Sequence, residues 1–214
     1  ITQMIEQTKQ YILPKNDDLS DIKNNAIQFL KDRGITQEVI DNNKVKSSRD
    51  GRGVVFAYYK NSKVINYKTR AIDSKKFFQA KEAQPIMYNY DRIKDTNSVF
   101  ICEGEMDSLS WEVAGIGFHT SVSQGAPNVG DKNIDKKLEC LNTCAEVFEN
   151  KKTIYIAVDN DENGRFLEKE LVRRFGAERC LLVDFSPYKD ANEVLVKEGI
   201  EGLQERARSL IFCY

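Results

Sequence analysis

Hydrophobic positions along the chain repeat with two different organisations, and the change comes near residue 98. In the first part, Leu19, Ile22, Ala26, Ile27 and Leu30 recur at helical spacing and stop at Arg33-Gly34. That pattern predicts a short amphipathic helix closed by glycine. Thr36 is placed to cap a second short helix running through Asp41. Two runs rich in β-branched and aromatic residues follow, GVVFAYYK at 53–60 and KVINYKTRAI at 63–72. Separated only by Asn61-Ser62, they read as a β-hairpin. Residues 1–17 are polar with little period and read as a tether.

Beyond residue 98 strand-like and helix-like segments alternate. Strands are predicted at 99–102, 117–122, 153–158 and 179–185. Between them lie a helix carrying Met106, Leu109 and Val113, a long helix carrying Ile134, Leu138, Leu141, Ala145 and Phe148, and a helix over 165–175 stopped by Gly176. Two further helical stretches span 191–210, broken at Gly199. Repeated βα units imply a parallel sheet covered by helices. The expected fold is therefore α/β: a parallel-sheet domain over residues 97–214, preceded over residues 1–96 by a small α+β subdomain.

Composition adds a charge asymmetry. Across 214 residues the net charge is only −1. Residues 44–81, however, hold eleven Lys or Arg against two acids, while residues 82–214 hold sixteen against twenty-four. A basic segment of that density predicts contact with a polyanion. Aromatics interleaved with its cations suit base stacking, although Phe77 and Phe78 are expected in the core. No apolar run reaches 18 residues, so no membrane contact is expected. There is neither a signal-peptide pattern nor an initiator Met, which suggests a piece of a longer protein. The five cysteines are odd in number and lack C-x2-C spacing. They read as reduced thiols in a cytoplasmic setting, bacterial or phage-infected, ahead of a mitochondrial matrix. His119 is expected to be structural, and no zinc site is expected.

Candidate chemistry centres on TIYIAVDNDENGR, residues 153–165. Asp159 and Asp161 lie just past a predicted strand, and their side chains should point the same way, with Asn160 opposite. Sites in open parallel sheets form beyond the carboxyl ends of strands. Acids stand at three such ends: Glu103, then Asp159 and Asp161, then Asp190. Gathered together they would repel unless cations neutralised them, and Mg2+ or Mn2+ suits all-oxygen ligands. Asp159, Asp161, Asn163, Gly164 and Glu170 also fit the calcium-loop pattern D-x-D-x-[DN]-G-x5-E. A calcium loop of that kind needs an entering helix, whereas TIYIAV is strand-like. A haloacid-type phosphatase also places D-x-D at a strand end, but on an early strand followed by Thr or Val, whereas Glu162 follows here.

Three motifs in order, Glu103-Gly104-Glu105-x-Asp107, then Asp159 to Gly164, then Lys189-Asp190-Ala191-Asn192-Glu193, resemble the Toprim domain of DNA primases. Their spacing is similar to the primase half of phage-type and mitochondrial primase–helicases. Residues 33–89 resemble the smaller subdomain that precedes it. The resemblance implies a nucleotidyltransferase making RNA primers from ribonucleoside triphosphates on single-stranded DNA. It implies that Glu103 is a general base or metal ligand, and that Asp159 and Asp161 are the metal pair, with Asp107 and Asp190 as supporting acids. Lys68, Arg70, Lys75, Lys76 and Lys189 would contact nucleotide or template, and Gly125 and Asn128 match a loop beside the site. Neither a zinc-binding module nor a G-x4-GK-[ST] loop is present. Template-reading zinc and helicase modules would thus belong to the full-length protein or act in trans. The same acids would serve a Toprim nuclease. A topoisomerase would need a nucleophilic Tyr on a further DNA-gripping domain, for which there is little room. A non-catalytic nucleic-acid-binding module of a replicative helicase would have no need to keep all three acids.

Overall fold

The structure, a computed structural model, describes residues 10–15 and 19–212. Its first half is an antiparallel sheet of β1 (Leu19–Ser20), β2 (Lys46–Ser48), β3 (Gly53–Lys60), β4 (Lys63–Ala71) and β5 (Phe77–Gln79), in that spatial order. The hairpin between β3 and β4 turns on Asn61 and Ser62, whose φ angles are 52° and 63°. Two consecutive left-handed residues match the twist of the flanking strands. Asp91 stabilises the turn, its two carboxylate oxygens accepting from both amides at 2.7 Å.

Helix α1 covers Asn24–Lys31 and α2 covers Gln37–Asn42, the latter capped by Thr36 as expected. The first helix does not begin at Leu19, because Leu19 and Ser20 pair with Ser48 and Ser47 and are drawn into the sheet. The tether read over residues 1–17 lies largely outside the described residues. Within it, Ile12 donates its amide to the Glu82 carbonyl at 2.9 Å.

The second sheet holds β6 (Ser98–Cys102), β7 (His119–Ser121), β8 (Thr153–Ala157), β9 (Cys180–Val183) and β10 (Leu210–Phe212), in the order β10-β9-β8-β6-β7. The first four are parallel, as the βα alternation requires, and β10 is antiparallel to β9. The helical reading of 191–210 reached only the first residue of that last strand, which was not foreseen. Its residues cover the outer edge of β9, which would otherwise present unpaired backbone. Helices α3 (Tyr90–Ile93), α4 (Glu105–Val113), α5 (Ile134–Lys137), α6 (Glu139–Thr143), α7 (Ala145–Glu149), α8 (Glu162–Phe175) and α9 (Ala191–Arg206) lie between the strands. Gly199 breaks α9 with φ 74°. The core runs through both halves, with Phe100 stacked 4.3 Å from Tyr155 and 4.6 Å from Trp111. Among the described residues no helix is long and apolar enough to cross a membrane.

The long helix expected around residues 134–148 is three short turns, α5 (Ile134–Lys137), α6 (Glu139–Thr143) and α7 (Ala145–Glu149). It bends at Leu138 and Cys144, where the buried chain follows the segment 85–88: Thr143 donates to the Pro85 carbonyl, and the Met87 amide donates to Cys144 Sγ. Near-helical backbone keeps the hydrophobic spacing through the bends, which is why the sequence reads as continuous. Cys102, Cys140 and Cys144 are buried free thiols, Cys180 is buried as well, and Cys213 lies outside the described residues.

Glu112 of α4 joins the halves. Its carboxylate accepts from Asn43 at 2.6 Å, Arg92 at 2.5 Å and the buried His119 ring at 2.9 Å. Burial pushes its pKa up, but the bonds from His119, Arg92 and Asn43 outweigh that and hold it well below the usual carboxylate range. His119 is the structural residue expected of it.

Candidate active site

From β6 the chain passes to β7 on one side and then crosses to β8 on the other. The carboxyl ends of β6 and β8 therefore flank a switch point, where an open sheet leaves a crevice. A cleft of about 530 Å³ opens there. Its acidic wall carries Glu103, Glu105, Asp107, Asp159 and Asp190, with Gln124, Gly125 and Lys189. Facing it across the cleft, the first sheet contributes Phe56, Lys68, Arg70, Lys75 and Phe77.

Asp159 and Asp161 do point the same way. Lys189 Nζ lies 2.8 Å from Asp159 Oδ2 and 3.2 Å from Asp161 Oδ2. Asn160 turns aside, its amide NH2 toward Ser186 and its carbonyl toward Arg165. Asp161 also caps α8, accepting from the Gly164 amide at 2.9 Å. The helix thus starts at Glu162, three residues before the expected position, and Gly164 lies inside it. Glycine is required there for a different reason: a Cβ would sit 1.9 Å from the Asp159 carbonyl oxygen. Close approach of the helix to that backbone is what sets the spacing of the D-x-D pair. The calcium-loop match fails on two counts, since its entry is β8 and Glu170 pairs with Arg173 and Arg174.

Glu103 follows β6. Burial, then the charge of Asp159, pushes its carboxyl up to about 7, against a bond from the Ala126 amide. Its Oε2 is buried without a hydrogen-bond partner. Gly125 lies beside it with φ 69°, a left-handed conformation that favours glycine, and a Cβ there would make only ordinary contact with Glu103 Oε1 at 3.8 Å. Asp159 is likewise raised by burial, although Lys189 opposes this. Asp107 is raised well above the ordinary range by burial and then by Asp190, while its Oδ1 accepts from the Asn192 amide at 3.0 Å. Asp190 caps α9 through the Glu193 amide at 2.8 Å.

These acids offer oxygen donors alone, an unpartnered buried oxygen and an excess of negative charge, which suits a hard divalent cation. Among the described residues no three His, Cys, Asp or Glu side chains are gathered closely enough to hold a metal by themselves. An ion that keeps several ligands as water or substrate phosphate, as Mg2+ does, would ask less of the protein than a full cage. Glu103, Asp159 and Asp161 would hold it.

The basic wall departs from expectation. Lys68 is only 8% exposed and pairs with Glu105 at 3.0 Å, and Tyr58 donates to the same carboxylate oxygen. Its ammonium is already committed to a partner of the opposite sign, so Arg70 and Lys75 are the cations better placed to meet a ligand. Phe77 and Phe78 are 49% and 60% exposed and are not core. Phe77 lies under Lys68 at 5.2 Å and Arg70 at 5.4 Å. Lys76 and Phe78 line a separate groove with Arg49 and Arg52, because neighbouring side chains along an extended segment face opposite ways. Asn128 does not line the cleft; its amide donates to Asp131 and its side chain lies 3.4 Å from Asn163. Glu105, Gln124 and Phe77 were not foreseen in the site. Phe77 had a signal as an aromatic among cations but was assigned to the core, and Glu105 had one, two residues after Glu103, although nothing in that spacing shows that it turns back onto β4.

Residues 100–195 match the Toprim-like family. The chain as a whole is related to Toprim-type primases, and it resembles in particular the primase half of the phage-type and mitochondrial primase–helicases. It is 33% identical over 215 residues to the Twinkle homolog protein, chloroplastic/mitochondrial, of Arabidopsis thaliana, covering 94% of this chain and 30% of that protein. It is 35% identical over 191 residues to the Primase homolog protein of the same plant, covering 83% and 56%. The chain thus spans less than two thirds of either relative. Its fold matches the primase fragment of the bacteriophage T7 primase-helicase protein with a TM-score of 0.71 at 21% identity, over 93% of this chain and 84% of that one.

Proposed function

We propose that this chain is the nucleotidyl-transferring part of a DNA primase, joining ribonucleotides into a primer on single-stranded DNA. The observation that carries the reading is one cleft in which Glu103 and Asp159 face Arg70 and Lys75, with Asp161 just outside its lining and joined to Asp159 through Lys189. Phosphoryl transfer asks little covalent chemistry of a protein and much positioning of charge. A bound Mg2+ or Mn2+ would stabilise charge on the phosphate oxygens. Arg70 and Lys75 would hold template or triphosphate by their phosphates, and Phe77 offers a face for a base. Glu103, at about 7, can accept the proton of the attacking 3′-hydroxyl near neutral pH. As that oxygen bonds to the α-phosphorus, pyrophosphate leaves.

Template-reading zinc and helicase modules would come from the full-length protein or in trans. A reducing compartment suits the buried thiols of Cys102, Cys140 and Cys144. The name of one plant relative makes an organelle matrix as natural a setting as a bacterial cytoplasm. The test incubates the protein with a primed single-stranded template, ribonucleoside triphosphates and Mg2+ or Mn2+. Primer extension that disappears in chelator is expected. Cation-dependent cutting of the template without extension would assign the cleft to a nuclease instead.

A further inference from the structure

Among the described residues, Lys189 forms ion pairs with both Asp159 and Asp161. The other cations around the cleft are placed elsewhere. Lys68 is held by Glu105, and Arg70 lies between the rings of Phe77 and Phe29 at 5.4 and 5.3 Å. Lys189 stands between β9 and α9, and its backbone is pinned on both sides. Its amide donates to Glu193 Oε2 at 2.8 Å, and its carbonyl accepts from the Asn160 amide at 2.6 Å. The second bond ties it to the D-x-D loop itself. The Lys189 side chain is nevertheless 53% exposed, on a flexible four-carbon stem. A fixed backbone beneath a mobile ammonium makes a cation that can occupy the carboxylate pair or leave it without any change of fold.

We infer that Lys189 is a tethered counter-ion, which competes with the divalent cation for Asp159 and Asp161 and is displaced when that cation binds. This rests on the metal-dependent reading above and adds a residue that sets how readily the site loads. In the unloaded protein Lys189 offsets the mutual repulsion of Asp159, Asp161 and Asp190. A divalent ion does the same with more charge and a shorter reach, so the two cannot share the pair. The displaced ammonium remains within one side-chain length of the cleft, where the phosphates of a nucleoside triphosphate are its natural partner. Lys189 therefore acts with opposite sign on the two ligands, weakening the first to bind and strengthening the second.

The test is direct binding of Mn2+, followed by the paramagnetic resonance of the free ion, to the natural chain, Lys189→Ala, Lys189→Gln and Asp159→Asn. Exchanging one salt-bridge partner on a partly exposed carboxylate pair is worth about a tenfold change in affinity. Lys189→Ala and Lys189→Gln should bind Mn2+ roughly tenfold tighter, and Asp159→Asn more weakly than the natural chain. In thermal denaturation without divalent ions Lys189→Ala should melt lower, and saturating Mn2+ should raise its midpoint more than that of the natural chain. With Mn2+ present, Lys189→Ala should bind a nucleoside triphosphate more weakly. Equal or weaker Mn2+ binding by both Lys189 variants, with Asp159→Asn still impaired, would overturn the counter-ion role and leave the metal reading standing. Binding that no variant alters, or that none shows, would overturn both.

Discussion

The two walls of the cleft are built on different principles. The acidic wall hangs from the carboxyl ends of parallel strands, where a side chain is aimed into the crevice by topology alone. The basic wall comes from the face of an antiparallel hairpin, where each neighbour in sequence points the other way. The acidic wall is also electrostatically strained: Glu103, Asp107 and Asp159 are all pushed upward, with burial the first cause and nearby acids adding to it. The basic wall is relieved, since Lys68 has a carboxylate beneath it. Strain thus gathers where the chemistry is proposed, and satisfied bonds gather where the two halves meet. Substitutions in the two walls should therefore move activity and stability in different proportions.

The largest effect is expected from Asp159→Asn with Asp161→Asn. Losing both charged ligands removes several kcal/mol of transition-state stabilisation, so extension should fall by at least about a hundredfold. The melting temperature should hardly drop. A folded double variant that extends a primed template at the natural rate would falsify the metal-pair role.

Glu103→Gln sharpens the contrast, because it should cost rate and add stability. A general base contributes about 10²–10⁴-fold. The folded carboxyl, near 7, lies above its unfolded value, so the stability it permits is fully present in acid and declines as pH rises toward 7. Without divalent ions the natural chain should lose up to roughly 3 kcal/mol between about pH 4.5 and 7 on this account. Denaturant titrations across that range should show a clearly smaller loss in Glu103→Gln than in the natural chain, the remainder coming from Asp107 and Asp159. If both lose it equally, the strain lies elsewhere on the wall.

On the basic side the proportions reverse. Lys68→Met leaves Glu105 buried without its partner and should destabilise the protein by about 3 kcal/mol. Lys68→Met with Glu105→Gln should recover much of that. A single variant as stable as the natural chain would show that Lys68 is a ligand-facing cation after all.

The smallest effect is expected from Arg70→Ala with Lys75→Ala. Stability should stay near the natural value, while single-stranded DNA binding should lose about 0.7 from the slope of log affinity against log salt for each phosphate contact removed. An unchanged slope would move the nucleic-acid contact to another face, and the groove holding Arg49, Arg52 and Lys76 would be the next to test.

Much of this was legible in the residues themselves. Alternation of βα units predicted the parallel sheet, and the D-x-D pair and Glu103 were placed at its strand ends, because periodicity and strand termination are local properties of the chain. The hairpin and its turn at Asn61-Ser62 were legible for the same reason. What depends on partners distant in sequence was not. Leu19 left its helix to pair with Ser48, and residues 134–149 bent to follow segment 85–88. Lys68 was taken by Glu105, 37 residues away, and Phe77 was separated from Phe78 by the face each occupies in β5. Lys189 was assigned to nucleotide, yet it lies between two carboxylates nearly thirty residues earlier in the chain. Which charges meet is decided by distances of a few ångströms, and only the packed sheets bring those pairs together.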